Sequence, residues 1–192
     1  NSKKINHMIE KTLEQSTKII ADLYDLSDEI NKTANLIITA INKNRKIIII
    51  GNGGSAADAQ HIAAEFLGRY KLKRKSIPAI ALTSNSSTTT AIANDYDFSD
   101  VFSRQCESLV SKDDIVIGIS TSGNSENVIN ALKQAKYKNL KTIAFTGKTG
   151  GSLDGIADIT IKVPSDNTQR IQESHIMIGQ ILCSLIELSI LK

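Results

Sequence analysis

The apolar positions divide the chain into an N-terminal helical part and a longer region in which short apolar runs alternate with helices. Residues 3–44 contain no Gly or Pro, and their apolar side chains recur every three or four residues, which predicts two helices with a break near Leu26–Asp28. Five later apolar runs predict buried strands: Ile47–Ile50, Pro78–Leu82, Asp114–Ile119, Lys141–Phe145 and Ile159–Val163. Helical segments separate these runs, and a final helix is predicted from Thr168 to the C-terminus.

Strands that alternate with helices at this spacing are typical of a parallel, doubly wound sheet. We therefore expect an α/β fold, a three-layer α/β/α sandwich, with residues 1–192 as one domain and residues 1–45 as an N-terminal helical arm. Ligands of such sheets bind at the carboxyl ends of the strands, near the topological switch point. An amphipathic arm often packs against a partner subunit, so we expect an oligomer contact there.

Composition narrows the classes of function. With 41% hydrophobic and 22% charged residues, the chain reads as an ordinary globular protein. A net charge of +3 is too balanced to indicate nucleic-acid binding, and the one strongly basic run, Tyr70–Lys75, is expected to be a solvated loop. Cys106 and Cys183 are expected to be buried, reduced thiols. No segment approaches the roughly 20 apolar residues that cross a bilayer, so we expect a cytoplasmic protein.

The turn after the first strand is the first candidate binding element. Gly51–Gly54 allow the backbone to turn sharply and to approach a ligand, and Ser55 is expected to be the N-cap of the next helix. The free N–H groups of that helix would suit an anion such as a phosphate. His61 and Glu65 share a face of the helix one turn deeper. This pair suits a metal site or an acid/base pair, although an exposed helix face also carries such pairs by chance.

A second polar turn follows the third strand. Ser120, Thr121, Ser122 and Ser125 place up to four hydroxyls around one small volume. A polar loop with Ser125 as a helix cap would explain the same residues. The similarity of this turn to the one at Gly51–Gly54 favours an anion site.

Two nucleotide-binding classes are disfavoured. Residues 51–56 formally fit the dinucleotide fingerprint, but the next strand ends in Thr83–Asn85 without the acidic residue that would hold a ribose hydroxyl. A P-loop also requires Lys-Ser or Lys-Thr after its glycines, which this chain lacks at that place.

The final helix adds polar groups that could face Glu65. Gln172, His175 and Gln180 lie on its first turns, and at 100° per residue Gln172 and Gln180 project within about 80° of each other. A site that gathers His61, Glu65 and one of these residues would suit proton transfer at a sugar carbon.

Four segments together resemble the SIS (sugar isomerase) domain of the phosphoheptose isomerases. They are GNGGSAADAQH with Glu65 four residues on, AIANDY, GISTSGNS and RIQESHI, and they span residues 51–176. The resemblance implies a homotetramer with active sites shared between subunits. It also implies conversion of sedoheptulose 7-phosphate to D-glycero-D-manno-heptose 7-phosphate through an enediol, an early step of bacterial surface heptose synthesis for the lipopolysaccharide core.

The resemblance also implies roles for individual residues. Phosphate would be bound by Ser120, Thr121, Ser122 and Ser125 with Ser55 nearby, and the sugar by Asn52, Gly53, Gly54, Asn94, Asp95 and Gln172. Glu65 would be the base that moves a proton between C1 and C2. One zinc ion per subunit would be held by His61, Glu65, Gln172 and the residue at position 180.

Position 180 departs from the family pattern. Phosphoheptose isomerases have a histidine there, which serves as metal ligand and general acid, whereas this chain has Gln180. An amide can ligate weakly and donate a hydrogen bond, but it cannot give up a proton near neutral pH. Catalysis could continue with water, zinc or His175 supplying the acid, although His175 lies about 140° away around the helix.

The alternative is a binding-only site. Similar SIS proteins include a tetrameric adaptor that binds the bacterial replication initiator protein. That adaptor lacks the glutamate corresponding to Glu65 and has an amide residue at the position of Gln180. This chain keeps Glu65, which favours an enzyme.

Overall fold

The computed structural model describes residues 2–190, and its helices and strands alternate as the apolar pattern predicts. The helices are α1 Ser2–Asp22, α2 Ser27–Asn42, α3 Gly54–Leu67, α4 Ser86–Asp95, α5 Ser103–Leu109, α6 Glu126–Tyr137, α7 Gly151–Asp154 and α8 Thr168–Ile190. The strands are β1 Ile47–Gly51, β2 Ala79–Ala81, β3 Ile115–Ile119, β4 Lys141–Thr146 and β5 Ile159–Lys162. Short 3-10 turns at Leu23–Leu26 and Phe98–Asp100 join neighbouring helices.

All five strands form one parallel sheet in the order β2-β1-β3-β4-β5. The chain moves to one side of β1 to form β2 and then returns to form β3 on the other side, so the topological switch point lies between β1 and β3. Gly51 pairs with Ile119 in that register, and both strands end at the same level. The turns that follow β1 and β3 therefore leave the sheet side by side, where ligands of such sheets bind.

The four isoleucines of β1 show how the core is built. Ile47 and Ile49 pack into a cluster with α2, α3 and α8, whereas Ile48 and Ile50 pack into a second cluster with α5 and α6. Successive side chains of a strand point to opposite faces, so a strand that is buried on both faces needs an uninterrupted apolar run. The predicted three-layer α/β/α sandwich is confirmed.

The N-terminal helices differ in their packing. None of the described residues of α1 is buried, whereas α2 buries Ile30, Ala34 and Ile37 in the core. Only α1 therefore has the character of an arm, and its side chains Met8 and Leu13 are 71% and 62% exposed. The division of residues 1–192 into one domain with an arm over 1–45 stays a prediction.

The basic run at Tyr70–Lys75 is not the solvated loop that its charge predicts. Lys71, Lys73 and Lys75 are exposed, but the Arg74 side chain is only 3% exposed and pairs with Glu187 at 2.9 Å. Alternate residues of the segment face inwards and outwards, and a count of charges cannot detect that alternation.

The final helix α8 is long and apolar enough to cross a membrane by length and composition alone, contrary to the expectation from the sequence. It packs against α1, α2 and α3 and buries Arg170, His175 and Glu187. A core helix passes the same length and composition test, so α8 is weak evidence for a membrane span.

Two glycine-to-alanine changes test the packing of α6 on the sheet. A Cβ on Gly118 of β3 would lie 2.7 Å from both Leu132 and Val128, whereas one on the exposed Gly155 would meet nothing closer than 3.9 Å. We expect Gly118→Ala to lower the free energy of unfolding in urea by about 1–3 kcal/mol through overpacking. Gly155→Ala should leave it unchanged or raise it slightly. Equal midpoints for the two variants would contradict this packing.

Candidate active site

Two asparagines join the turns at the switch point. Asn52 follows β1 and Asn127 lies in the first turn of α6, and each side-chain amide donates to the other's oxygen, at 2.8 and 2.9 Å. Asn127 is 3% exposed, so its polar atoms depend on protein partners. The pair uses one donor and one acceptor of Asn52 and leaves its second N–H free for a ligand.

The hydroxyls after β3 converge. Ser120 Oγ lies 2.8 Å from Ser125 Oγ and 3.5 Å from Ser122 Oγ. Ser125 is the N-cap residue of α6, as the polar-loop explanation requires, but its side chain makes no capping hydrogen bond. The hydroxyls face one another beside the first turn of a 12-residue helix, whose N–H groups favour an anion.

Thr121 connects this loop to the glycine-rich segment after β4. Its carbonyl accepts a hydrogen bond from Gly147 N at 2.9 Å. Gly123 takes a φ of +68°, and a Cβ there would lie 2.0 Å from the carbonyl oxygen of Gly150. The hydroxyl loop is therefore held against a second backbone segment, which fixes the positions of its oxygens.

The first turn is arranged differently from the prediction. The N-cap of α3 is Gly53, with φ of +54°, rather than Ser55, which lies inside the helix and is 4% exposed. A Cβ on Gly54 would lie 2.6 Å from Nε2 of Gln172. The absence of a side chain at Gly54 thus allows the Gln172 side chain of α8 to approach the turn.

Helices α3 and α8 bring the remaining predicted residues together. His61 Nε2 lies 3.1 Å from Glu65 Oε1, and the two side chains are 48% and 23% exposed. A Cβ on Gly179 would lie 2.5 Å from Ile62, so the helices are closely packed beside His61. Gln180 follows Gly179 and is partly exposed.

Asn94 and Asp95 end α4 and are exposed, with Asn94 donating to the carboxylate of Asp95 at 2.9 Å. The segment just after them, Asp97–Ser99, lines a cavity of about 270 Å³ together with Asn52 and Ser125. The segment after α4 therefore lies next to both turns, but the predicted residues Asn94 and Asp95 do not line this cavity.

His175 does not point towards this cluster. It is fully buried, donates from Nε2 to the carbonyl of Thr146 at 3.0 Å and lies 5.8 Å from the Phe145 ring. Burial lowers its pKa from 6.5 to about 4, although the Thr146 hydrogen bond opposes that shift. His175 is consequently neutral at pH 7 and is excluded as the general acid that could replace a histidine at position 180.

Sequence reasoning missed Asn127 and the segment Asp97–Ser99. The only signal for Asn127 was an amide residue two positions after Ser125, which resembles an ordinary polar helix start. Its role depends on a hydrogen bond to a residue 75 positions away. Pattern analysis of one chain does not predict such a contact.

Known proteins resemble this chain over nearly its full length. A family model described as the SIS domain matches residues 5–147. The phosphoheptose isomerase of Sulfurimonas denitrificans is 50% identical over 182 residues, which cover 93% of each chain. That of Nitratiruptor sp. is 52% identical over 180 residues, which cover 93% of this chain and 96% of the other. The chain belongs to the phosphoheptose isomerase family of SIS-domain proteins.

Solved structures agree with this family assignment. The phosphoheptose isomerase of Neisseria gonorrhoeae superposes with a TM-score of 0.91 at 38% identity, covering 95% of this chain and 98% of the other. That of Francisella tularensis gives 0.87 at 37% identity, covering 96% of each chain. The fold and element order described above are thus those of the phosphoheptose isomerase family.

The side chains around His61 and Glu65 would make a weak metal site. Within residues 2–190, no group of three or more His, Cys, Asp and Glu side chains could surround a metal. His61 and Glu65, whose side chains contact each other, could supply two strong ligands, and the predicted ligands on α8 are amide oxygens. Amide oxygen is a poorer zinc ligand than imidazole, thiolate or carboxylate.

The buried His175 gives the stability a defined pH dependence. Its pKa is about 4 in the folded state and near 6.5 in the unfolded state, so the unfolded chain binds more protons between these values and stability falls as pH falls. We expect wild type to lose about 2 kcal/mol more than His175→Gln between pH 7.5 and pH 5. Urea unfolding at both pH values measures the difference, and identical losses would contradict a neutral buried imidazole.

Proposed function

We propose that this protein isomerises sedoheptulose 7-phosphate to D-glycero-D-manno-heptose 7-phosphate. The observation that carries the proposal is that the hydroxyl loop Ser120–Ser125 and the start of α3, the helix of Glu65, adjoin at the switch point. Relatives named phosphoheptose isomerase are about half identical to this chain over nearly its whole length, which supports the same chemistry here.

The sugar phosphate would lie across the switch point. Its phosphate accepts hydrogen bonds from the hydroxyls of Ser120, Ser122 and Ser125 and faces the first turn of α6. Asn52 and Gln172 donate to hydroxyls along the sugar chain, because the amide groups lie beside the turn between the phosphate loop and α3. The reacting end then reaches Glu65.

The reaction moves one carbon-bound proton. Glu65 as carboxylate removes a proton from C1 of the ketose, and the C1–C2 enediol forms as the C2 carbonyl oxygen gains a proton. The protonated Glu65 returns a proton to C2 while O1 loses its proton, which completes the aldehyde at C1. Atoms and electrons balance within the substrate, so no redox cofactor is required.

Gln180 changes how protons reach and leave the O1 and O2 atoms of the substrate. Its amide can donate a hydrogen bond to the developing oxyanion but cannot transfer a proton. Because His175 is buried and neutral, it cannot supply that proton, and we propose that water supplies it. We therefore propose a slower isomerase than one with imidazole at this position.

A zinc ion is part of the proposal. His61 and Glu65 would hold it, with amide oxygens of Gln172 and Gln180 as weaker ligands. When bound, the ion would polarise the substrate's oxygen atoms.

The proposed assembly is a cytoplasmic homotetramer with shared active sites. Exposed apolar side chains on α1 and a groove of about 660 Å³ support it, since both offer apolar surface to another subunit. The groove is lined by residues of α8 and of the segment from α1 to α2, among them Leu23, Tyr24, Ile30, Met177, Ile181 and Leu185. We propose neither a membrane nor a nucleic-acid partner. The proposed role of the product is to supply heptose for the lipopolysaccharide core.

One observation favours a second candidate function. The amide at position 180 would suit a non-catalytic SIS adaptor that binds a phosphosugar or the replication initiator protein. Absence of turnover under every metal condition, together with co-purification of the initiator protein, would select this candidate.

Replacing Glu65 tests the base. Glu65→Gln keeps the size and polarity of the side chain but cannot accept the proton, so we expect heptose 7-phosphate formation to fall by about 10²- to 10⁴-fold. The exposed Glu107 on α5 provides the matched control Glu107→Gln, which should retain wild-type turnover. Comparable activity in the two variants would exclude Glu65 as the base.

Replacing Gln180 tests the limiting group. Gln180→His supplies an imidazole that can ligate and transfer a proton, so we expect kcat/KM with added zinc to rise by at least about tenfold. The assay compares wild type and variant with zinc and with a chelator. No rise in the variant under either condition would show that the amide does not limit catalysis.

A further inference from the structure

A buried carboxylate on α8 holds the segment that follows α3. Glu187 accepts hydrogen bonds from the backbone N–H groups of Tyr70, Lys71 and Leu72 at 2.9–3.0 Å and from Arg74 Nε at 2.9 Å. Burial opposes ionisation of Glu187, but these hydrogen bonds outweigh it and place the pKa below the ordinary value. Four donors on one carboxylate make a strong, geometrically defined contact.

Arg74 extends this contact to the end of α3. Its guanidinium donates to the carbonyl of Glu65 at 2.7 Å and to that of Phe66 at 2.9 Å. These carbonyls lie in the last turn of α3, where no intrahelical N–H is available to them. Arg74 therefore bridges the backbone carbonyl of Glu65 on α3 and the carboxylate of Glu187 on α8.

The same face of α8 carries Gln180. Positions 180 and 187 are seven residues apart and project within about 20° of each other at 100° per residue. Close packing of Gly179 on Ile62 joins the helices near Gln180, and Arg74 with Glu187 joins them two turns further along α8. The spacing of α3 and α8 around Glu65 is thus fixed at two levels.

We propose that Arg74 and Glu187 are positioning residues that hold α3 against α8 and so place the Glu65 carboxylate at the reacting carbons. The inference rests on the proposed function for its catalytic consequence, but the contact itself is a property of the chain. Neither residue touches the hydroxyl loop Ser120–Ser125. They should therefore affect proton transfer by Glu65 and leave phosphate binding unchanged.

Cys183 reports on this contact independently of catalysis. Cys183 lies on α8 and is 1% exposed. Burial raises the pKa of its thiol to about 12; the charges of Glu65 and Glu187 act in the same direction, and the charge of Arg74 opposes them. Separation of α3 from α8 would expose the thiol to a labelling reagent. The other cysteine, Cys106, is buried in the opposite cluster and can be replaced by Ser.

The control is a second buried carboxylate of similar construction. Asp114 accepts from the backbone N–H groups of Lys46 and Ser111 and pairs with Lys46 Nζ at 2.6 Å, with its side chain 1% exposed. It lies at the amino end of the sheet, at the edge opposite to the candidate site. Asp114→Asn therefore removes a comparable interaction without touching α3 or α8.

The experiment compares Arg74→Lys, Glu187→Gln and Asp114→Asn in the full chain with Cys106→Ser. We expect Arg74→Lys and Glu187→Gln to lower kcat by about tenfold to a hundredfold with KM nearly unchanged, because the base is displaced while the phosphate loop is intact. The rate of Cys183 labelling should rise by about tenfold in both, through easier local opening. Asp114→Asn should lower Tm without changing kcat or labelling.

Three results would overturn the proposal. Unchanged labelling in Arg74→Lys and Glu187→Gln would show that the contact does not hold the helices together. Faster labelling of these two variants with wild-type kcat would show that the contact has a purely structural role. An equal loss of kcat in Asp114→Asn would show the same. Inactive wild type with faster labelling in the variants would refute the proposed function instead, while supporting the contact between α3 and α8.

Discussion

The parallel pairing of β1 with β3 is the constraint on which the candidate site depends. It brings the ends of both strands to one level, and the reciprocal amide bonds of Asn52 and Asn127 then join the turns that follow them. One turn opens into α3 with Glu65, and the other carries the hydroxyl loop Ser120–Ser125. In the proposed function, the hydroxyl loop holds the phosphate end of the ligand at the switch point and Glu65 on α3 removes its proton.

The final helix brings polar residues to the candidate site while serving as a core element. Its apolar residues fill the cluster on one face of the sheet, which explains a composition that resembles a membrane span. Its polar residues have different partners along the helix. Gln172 lies beside the turn after β1, His175 is hydrogen-bonded to β4, and Glu187 binds the segment after α3. Gln180 lies between His175 and Glu187 along α8 and is partly exposed, so we expect a change at this position to leave the packing of α8 intact.

The fold was predictable because strands buried on both faces leave an unmistakable apolar signal. All five strands lie within one residue of their predicted bounds at either end. Local capping was less predictable, since Gly53 with a positive φ displaces Ser55 from the N-cap position. The role of Arg74 was hidden for a different reason, because its buried partner Glu187 lies 113 positions away and no local pattern encodes that pairing.

The most direct test of the central claim follows the proton itself. Purified protein is incubated with sedoheptulose 7-phosphate in D₂O, and both sugars are followed by NMR. The account predicts D-glycero-D-manno-heptose 7-phosphate that carries solvent deuterium at C2, because one carboxylate exchanges its proton with solvent before returning it to the enediol. Unchanged ketose with neither product nor deuterium at C1, with or without zinc, would contradict it.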